Sequence, residues 1–223
     1  DITLGGSASG ELIFTIKRNI PNLVAAAVTT PGIRVETKNF EQSQDYTLKT
    51  KESEAVRVSF NHRGRVTQIH NLEALNAKRI GLMSFEQMLR EYLPTFPDKA
   101  VAIGDTWNDS QTINILFMEI DLEILLNREY VLLNVMPAED GEVAVIDITY
   151  NVRLSGSRNW ADWTGGFEGQ GTGTGLCLYN IQRSCIKQLN VEYGTEADLI
   201  IRRKNQPVLE QPFRLSVAAS YML

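Results

Sequence analysis

Strict alternation of apolar and polar residues over 144–154 limits the secondary structure that this segment can form. A period of two is typical of a β-strand with one buried and one solvent-facing side, and it does not fit a helix. Because the opposite side is polar, the pattern predicts an antiparallel sheet. The apolar positions of this and similar stretches are Leu12, Phe14 and Ile16; Val56, Val58 and Phe60; Ala144, Ile146, Ile148, Tyr150, Val152 and Leu154; and Phe213, Leu215, Val217, Ala219 and Tyr221.

One segment, residues 84–93, has the periodicity of an amphipathic helix instead. Ser84 and Gln87 match a capping box at its start, and Pro94 ends it. Residues 72–79 indicate a second, shorter helix. The apolar residues of the main helical face are Phe85, Met88, Leu89, Tyr92 and Leu93.

The chain has no linker, repeat or low-complexity tract, so we expect a single domain over residues 1–223. Turn residues such as Asn61-His62-Arg63-Gly64 and Asp140-Gly141 separate the strands. Residues 119–127 are compatible with either a strand or a helix. The predicted fold class is mainly β, with a single curved antiparallel sheet and one or two helices on its concave face.

Composition excludes several classes of function. The formal net charge is −5, from 22 Lys+Arg and 27 Asp+Glu, which lacks the basic footprint of a nucleic-acid-binding protein. The 2 His and 2 Cys are too widely spaced for the usual zinc ligand pairs, and we expect no metal or cofactor. No run of 18 apolar residues predicts a transmembrane segment, and no basic-then-apolar leader precedes Asp1.

Glycines alternate strictly at Gly169, Gly171, Gly173 and Gly175, which leaves one face of a strand without side chains. Such a stripe usually marks a strongly bent strand or a strand on which a helix packs closely. The functional alternative is a bare strip, including Gly171 and Gly173, along which a ligand chain lies. No phosphate-binding loop motif is present.

The two cysteines lie eight residues apart around a candidate hairpin. If the hairpin is centred on Ile181, Cys177 and Cys185 face each other directly and approach disulfide distance. A disulfide would indicate an oxidising compartment. The alternative is two buried free thiols.

Trp160 and Trp163 lie close together in a loop between two long strands. They are expected either to plug one end of the sheet or to form an aromatic lip on a binding surface.

Catalysis finds little support in the sequence. His62 and His70 have no Ser, Cys or carboxylate at motif spacing, and no hydrolase signature is present. Asp98, Asp105 and Asp109 do not follow a calcium-loop spacing, so we expect solvated loop residues. We therefore expect no enzyme, although paired carboxylates from distant strands remain a hydrolase alternative.

Residues 93–107 read Leu-Pro-Thr-Phe-Pro-Asp-Lys-Ala-Val-Ala-Ile-Gly-Asp-Thr-Trp. This stretch resembles the pattern lP-x-FPdkpVkvGDtW of an uncharacterised family of secreted proteins and lipoproteins from bacteria of the Bacteroidetes type. The glycine stripe followed by a hairpin also fits, and the resemblance covers about residues 55–221. The family usually has an aspartate and a glycine around that hairpin turn, where Asn180 and Ser184 stand here.

The resemblance implies a half-barrel similar to periplasmic lipoprotein carriers, with helices on the concave side. It also implies export to the periplasm or cell surface, in some members with a lipid anchor on the outer membrane. It supplies no catalytic residues. Pro94 and Pro97 are expected to fix an extended crossing that Trp107 anchors.

Two functional hypotheses follow. The first is a non-catalytic envelope protein that binds a lipid or other apolar small molecule between the curved sheet and the helix. The second is a structural or interaction module that binds an envelope protein and no small ligand. The residues expected to contact a ligand are Phe85, Met88, Leu89, Tyr92, Trp160, Trp163, Gly171 and Gly173.

Overall fold

The computed structural model describes residues 5–20, 23–38, 43–51, 54–80, 83–117 and 119–222. Within these ranges the chain forms thirteen strands, the helix α1 (Phe85–Tyr92) and one 3-10 turn (Leu72–Ala74). The strands are β1 (Gly5–Ile20), β2 (Leu23–Lys38), β3 (Ser43–Leu48), β4 (Val56–Phe60), β5 (Val66–His70), β6 (Arg79–Ile80), β7 (Met83–Ser84), β8 (Thr106–Phe117), β9 (Ile120–Ala138), β10 (Gly141–Asn159), β11 (Trp163–Asn180), β12 (Cys185–Arg203) and β13 (Leu209–Met222).

The strands divide between two antiparallel sheets and a short ribbon of β6 and β7. The N-terminal sheet has the order β1-β2-β4-β5, with β3 also paired to β2. The large sheet is a curved meander in the order β13-β12-β11-β10-β9-β8. Its longest strands have 19 residues, which corresponds to about 60 Å of extended chain. The predicted mainly β, antiparallel class is confirmed, with the strands shared between two sheets.

Helix α1 lies where the two sheets meet. It contacts β5 of the N-terminal sheet and β8, the edge strand of the large sheet. The Gln87 amide donates to the Asn114 carbonyl on that edge at 2.6 Å, and the Gln111 amide donates back to the Arg90 carbonyl at 3.3 Å. At the other edge, β13 lies beside β1. These contacts cover backbone groups that an open edge strand would leave unpaired.

Two separate clusters of buried apolar side chains hold the sheets together. The first covers one face of the large sheet, from Ile113 on β8 to Ala197 on β12. The second packs Phe85, Met88 and Leu89 of α1 against strands of the N-terminal sheet. The helix therefore covers the N-terminal sheet and borders the large one.

Several local predictions are confirmed. Ser84 caps α1 with the reciprocal Gln87 bonds of a capping box, and Leu93 and Pro94 follow the helix. Gly64 adopts a φ of 74° in the turn before β5. The second helix predicted over residues 72–79 is reduced to the 3-10 turn Leu72–Ala74, since Leu75 forms a bridge with Thr50 and Arg79 begins β6. Residues from Ile120 belong to strand β9.

Some predicted apolar positions have no described side-chain environment. The alternating segments near the two termini lie in β1 and β13 as predicted. The burial of their side chains, and the side chain of Tyr92, lie outside the described residues. Among the described residues, no helix is long and apolar enough to cross a bilayer.

The glycine stripe lies where β11 approaches β12 most closely. The ladder pairs Gln170 with Glu196 and resumes at Gly173 with Tyr193. A Cβ on Gly171 would overlap the carbonyl oxygen of Gly194, so only glycine allows this approach. A Cβ on Gly169 or Gly173 would also overlap β12. The element that packs closely against the stripe is therefore the neighbouring strand β12 and not a helix.

Candidate functional site

A buried ion pair joins β8 and β9 at the junction of the two clusters. Asp109 and Arg128 are cross-strand neighbours, and both side chains are only 1% exposed. Arg128 Nε donates to Asp109 Oδ1 and Arg128 Nη2 to Oδ2, each at 2.8 Å. This two-bond geometry is the strongest that an arginine and a carboxylate can make. Both oxygens of Asp109 are therefore engaged by one guanidinium.

Aromatic and backbone groups complete the surroundings of this pair. Arg128 Nη1 donates to the Leu93 carbonyl at 3.1 Å, and the Tyr130 hydroxyl lies 3.4 Å from Asp109 Oδ1. Trp107 stacks on Tyr130 at 5.3 Å and donates from Nε1 to the Thr95 carbonyl at 2.7 Å. The extended crossing after α1 is thus fixed to β8 and β9, with Trp107 as its anchor.

Burial changes the acid–base behaviour of the cluster. Desolvation raises the pKa of Tyr130 well above its ordinary value, because the phenolate would lose its hydration. Desolvation acts to lower the pKa of Arg128, but the neighbouring Tyr130 and Asp109 outweigh it, so that pKa is raised. The arginine therefore stays charged and the tyrosine stays neutral at physiological pH.

An open cleft lies beside the ion pair, between β5, α1 and β8. We call it the arginine cleft; it has a volume of about 280 Å³ and is lined by Arg65, Val66, Arg90, Gln111 and Thr112. Arg65 Nη2 is 3.7 Å from Asp109 Oδ2, longer than a hydrogen bond. Among the described residues, the buried atoms Arg65 Nε and Gln111 Oε1 have no hydrogen-bond partner.

The charges around the arginine cleft do not cancel. Arg65, Arg90 and Arg128 face Asp109 and Glu86, so three positive charges meet two negative ones and leave one in excess. Arg90 is held by Glu86 Oε1 at 3.0 Å and donates to the Val66 carbonyl at 3.2 Å. Guanidinium groups with unused donors favour carboxylate and phosphate oxygens. The arrangement is chemically suited to binding an anion.

The residues predicted to contact a ligand do not lie together: one set is beneath α1, one is on β11, and the tryptophans are at the β10–β11 hairpin. Phe85, Met88 and Leu89 are buried in the second cluster beneath α1. Gly171 and Gly173 lie on β11, with the backbone of β12 packed against them. The structure does not bring these sets together, and their roles in ligand binding stay predictions.

Trp160 and Trp163 form a stacked pair at the β10–β11 hairpin. Their rings are 3.7 Å apart at an angle of 8°, and Arg158 lies 5.3 Å from the Trp160 ring. Both are half-buried, and Trp160 packs against the first cluster. One part of the pair thus packs against the end of the large sheet, and the other part is exposed as an aromatic surface.

The predicted disulfide is wrong. Both cysteines are free, and the hairpin pairs Asn180 with Cys185 while Cys177 faces Leu189. The turn occupies residues 181–184, so the hairpin is centred between Gln182 and Arg183 and not on Ile181, and a bulge between Leu178 and Tyr179 shifts the register by one more residue. Burial raises the pKa of the Cys177 thiol to about 12 and also raises that of Cys185. The cysteines therefore supply no argument for an oxidising compartment.

The expectation of three solvated aspartates is wrong for one of them. Asp98 is exposed and pairs with His62 at 3.0 Å, and Asp105 accepts from the Ala102 amide at 2.8 Å. Asp109 instead lies on the apolar face of β8, in phase with Ile113. No group of three or more His, Cys, Asp or Glu side chains with metal-binding geometry occurs among the described residues.

Sequence reasoning missed the arginine cleft, although one signal was available. Arg128 alternates in phase with the apolar residues Leu126 and Tyr130 of β9, where an unpaired charge would be very costly. Asp109 interrupts the apolar phase of β8 in the same way. Two opposite charges in the apolar phase of consecutive strands predict a buried pair. Arg65 and Arg90 carry no such signal, because their proximity depends on tertiary structure.

Comparison of the sequence with models of protein families and with curated proteins found no match. The geometry of the site therefore carries the functional argument.

Proposed function

We propose that this protein is a non-catalytic binding protein of the bacterial cell envelope whose ligand is a lipid or another apolar molecule. The observation that carries the proposal is the arginine cleft, which opens beside the boundary between two buried apolar clusters. Binding sites of this kind are mostly apolar, with a few polar groups that fix orientation.

The ligand lies, in this proposal, between the apolar face of the large sheet and the second cluster. Val66 lines the cleft and packs against the second cluster, so the polar opening leads directly to apolar side chains. Helix α1 borders the same opening and is joined to β8 by two side-chain hydrogen bonds. Small movements of α1 would widen the opening without breaking a β-ladder.

A binding role rather than a catalytic one suits the state of the charged groups. Asp109 is engaged on both oxygens by Arg128 and its side chain is only 1% exposed, so it is not presented to a substrate. The His62–Asp98 pair is on the exposed turn before β5, with both side chains about half exposed. The envelope location rests on the resemblance of residues 93–107 to secreted proteins and lipoproteins.

Titration with N-phenyl-1-naphthylamine, an uncharged probe that fluoresces in apolar surroundings, tests this function. We expect saturable binding of one probe per chain. Val66→Asn should weaken it about fivefold, because Val66 is already half-buried and the probe would add about 1 kcal/mol of apolar contact to it. Val145→Asn is the matched control, since Val145 is half-buried away from the cleft and pairs with Leu178. Fluorescence that rises linearly without saturation would contradict the proposal.

The stacked tryptophans favour the second candidate, an interaction module of the envelope. Half-buried Trp residues beside an arginine are common in protein interfaces. Recovery of the same envelope partners by the wild type and by the Trp160→Ala/Trp163→Ala variant would argue against a role for this hairpin.

A further inference from the structure

Arg65 is a partly exposed arginine whose ion pair with Asp109 is long. The carboxylate closest to it, Asp109, already accepts two hydrogen bonds of 2.8 Å from Arg128. Arg65 Nη2 is left at 3.7 Å from that carboxylate, and the buried Arg65 Nε has no partner among the described residues. Because 42% of the Arg65 side chain is exposed, its guanidinium reaches the open cleft and keeps donors available to an incoming anion.

Arg90 presents a second guanidinium to the same cleft. Its Nε and Nη2 both contact Glu86 Oε1 at 3.0 Å, but the two side chains are 35% and 43% exposed, and such exposed i,i+4 pairs are weak. Its bond to the Val66 carbonyl fixes it beside Arg65. With Arg128, Asp109 and Glu86 included, the cleft keeps one positive charge in excess. An anion entering it would meet two guanidinium groups and displace no strong internal pair.

The size of the arginine cleft fits a head group better than a whole lipid. Its volume of about 280 Å³ lies just below the roughly 300–1,000 Å³ of small-molecule pockets. Gln111 Oε1, a buried acceptor without a partner among the described residues, suits a hydroxyl group or a water beside the anion. Val66 continues from the cleft into the second apolar cluster.

We infer that the ligand is an anionic amphiphile, whose carboxylate or phosphate group is bound by Arg65 and Arg90 while its apolar chain enters beside Val66. This inference rests on the proposed function and specifies its ligand class. It assigns the two arginines a binding role distinct from the structural role of Arg128.

Displacement of N-phenyl-1-naphthylamine by two amphiphiles of equal chain length tests the inference. Dodecyl phosphate carries the anion and dodecanol does not, and inorganic phosphate, measured by calorimetry, supplies the anion without a chain. We expect dodecyl phosphate to displace the probe at a concentration at least about tenfold lower than dodecanol, since charge-assisted hydrogen bonds are worth that much. The preference should weaken as salt is raised.

The variant Arg65→Gln/Arg90→Gln should lose this preference, and a urea-unfolding midpoint close to that of the wild type would show that it is folded. Arg153→Gln, on the exposed face of β10, is the matched control and should keep the preference. Equal displacement by dodecyl phosphate and dodecanol in the wild type would overturn the inference and leave the proposed function standing. Inorganic phosphate binding as tightly as dodecyl phosphate, without displacing the probe, would identify a free-anion site and overturn the amphiphile. Absence of saturable probe binding would remove both proposals.

Discussion

Removal of one partner from the buried Arg128–Asp109 pair should destabilise the protein severely. Asp109→Asn leaves a guanidinium that is 1% exposed with the Leu93 carbonyl as a remaining acceptor, and it removes the carboxylate nearest Arg65. Breaking such a pair costs about 3–5 kcal/mol, because the remaining charge has lost both water and counter-ion. Single domains are stable by only about 5–15 kcal/mol, so the effect is a large share of the whole.

The double variant separates the cost of an orphaned charge from the value of the pair. Asp109→Leu/Arg128→Met replaces both charges with apolar groups on the face where β8 and β9 are already apolar. Its stability should be within about 1 kcal/mol of the wild type, because well-packed apolar residues replace buried pairs at little cost. With Asp109→Leu and Arg128→Met as the single variants of the cycle, each expected to cost about 3 kcal/mol or more, the coupling energy between the two positions is at least about 3 kcal/mol.

Urea unfolding followed by tryptophan fluorescence measures these free energies, with Trp107 stacked on Tyr130 as the local reporter. The exposed pair Arg34–Asp45 supplies the control: its side chains are 62% and 55% exposed, and Asp45→Asn should cost less than about 1 kcal/mol. The reasoning is refuted if Asp109→Asn costs no more than Asp45→Asn. It is also refuted if the double variant loses the sum of the two single losses.

Three further predictions concern the large sheet. Gly171→Ala should lower the free energy of unfolding in urea by about 3 kcal/mol or more, because the new Cβ would overlap the Gly194 carbonyl. Thr172→Ala, on the exposed face, should cost under about 1 kcal/mol, and equal costs for the two variants would contradict the close approach. Trp160→Ala should cost about 2–4 kcal/mol through lost burial and lost stacking on Trp163, and a thermal melt unchanged from wild type would refute that packing. Burial raises the pKa of Cys177 from 9.0 to about 12, so as the pH rises the thiol loses its proton in the unfolded chain before it does in the folded protein. The contribution of this thiol to the free energy of unfolding is therefore fully present below pH 9 and falls by about 4 kcal/mol towards pH 12. Cys177→Ala should flatten the urea midpoint over that range, and an unchanged slope would show that this thiol is not the cause.

The alternation of apolar residues was enough to predict the class of fold and the single well-formed helix. Ser84, Gln87 and Pro94 act through local bonds and local sterics, so the ends of α1 could be predicted from neighbouring residues alone. The division of the strands between two sheets depends on which edges meet in space. Period-two patterning contains no information about that pairing.

The cysteine pairing failed for a related reason. Alternation predicts which face a residue occupies, but it does not predict where a turn is centred. The turn at residues 181–184 pairs Asn180 with Cys185, and the bulge beside Tyr179 adds one more residue to the offset, so Cys177 lies opposite Leu189. The prediction that Asp109 is a solvated loop residue failed because Asp109 lies in strand β8, which begins at Thr106. The residues that line the arginine cleft come from α1, β8 and the start of β5, and they become neighbours only when the two sheets assemble.

Native mass spectrometry of the full-length protein, purified from its host without detergent exchange, tests the central claim most directly. The account predicts a species heavier than the polypeptide by the mass of one amphiphile, which fragments to a carboxylate or phosphate anion. The Arg65→Gln/Arg90→Gln variant should carry much less of it, and Arg153→Gln should carry as much as the wild type. A spectrum that contains only the bare polypeptide, in protein that binds no apolar probe, would contradict the claim.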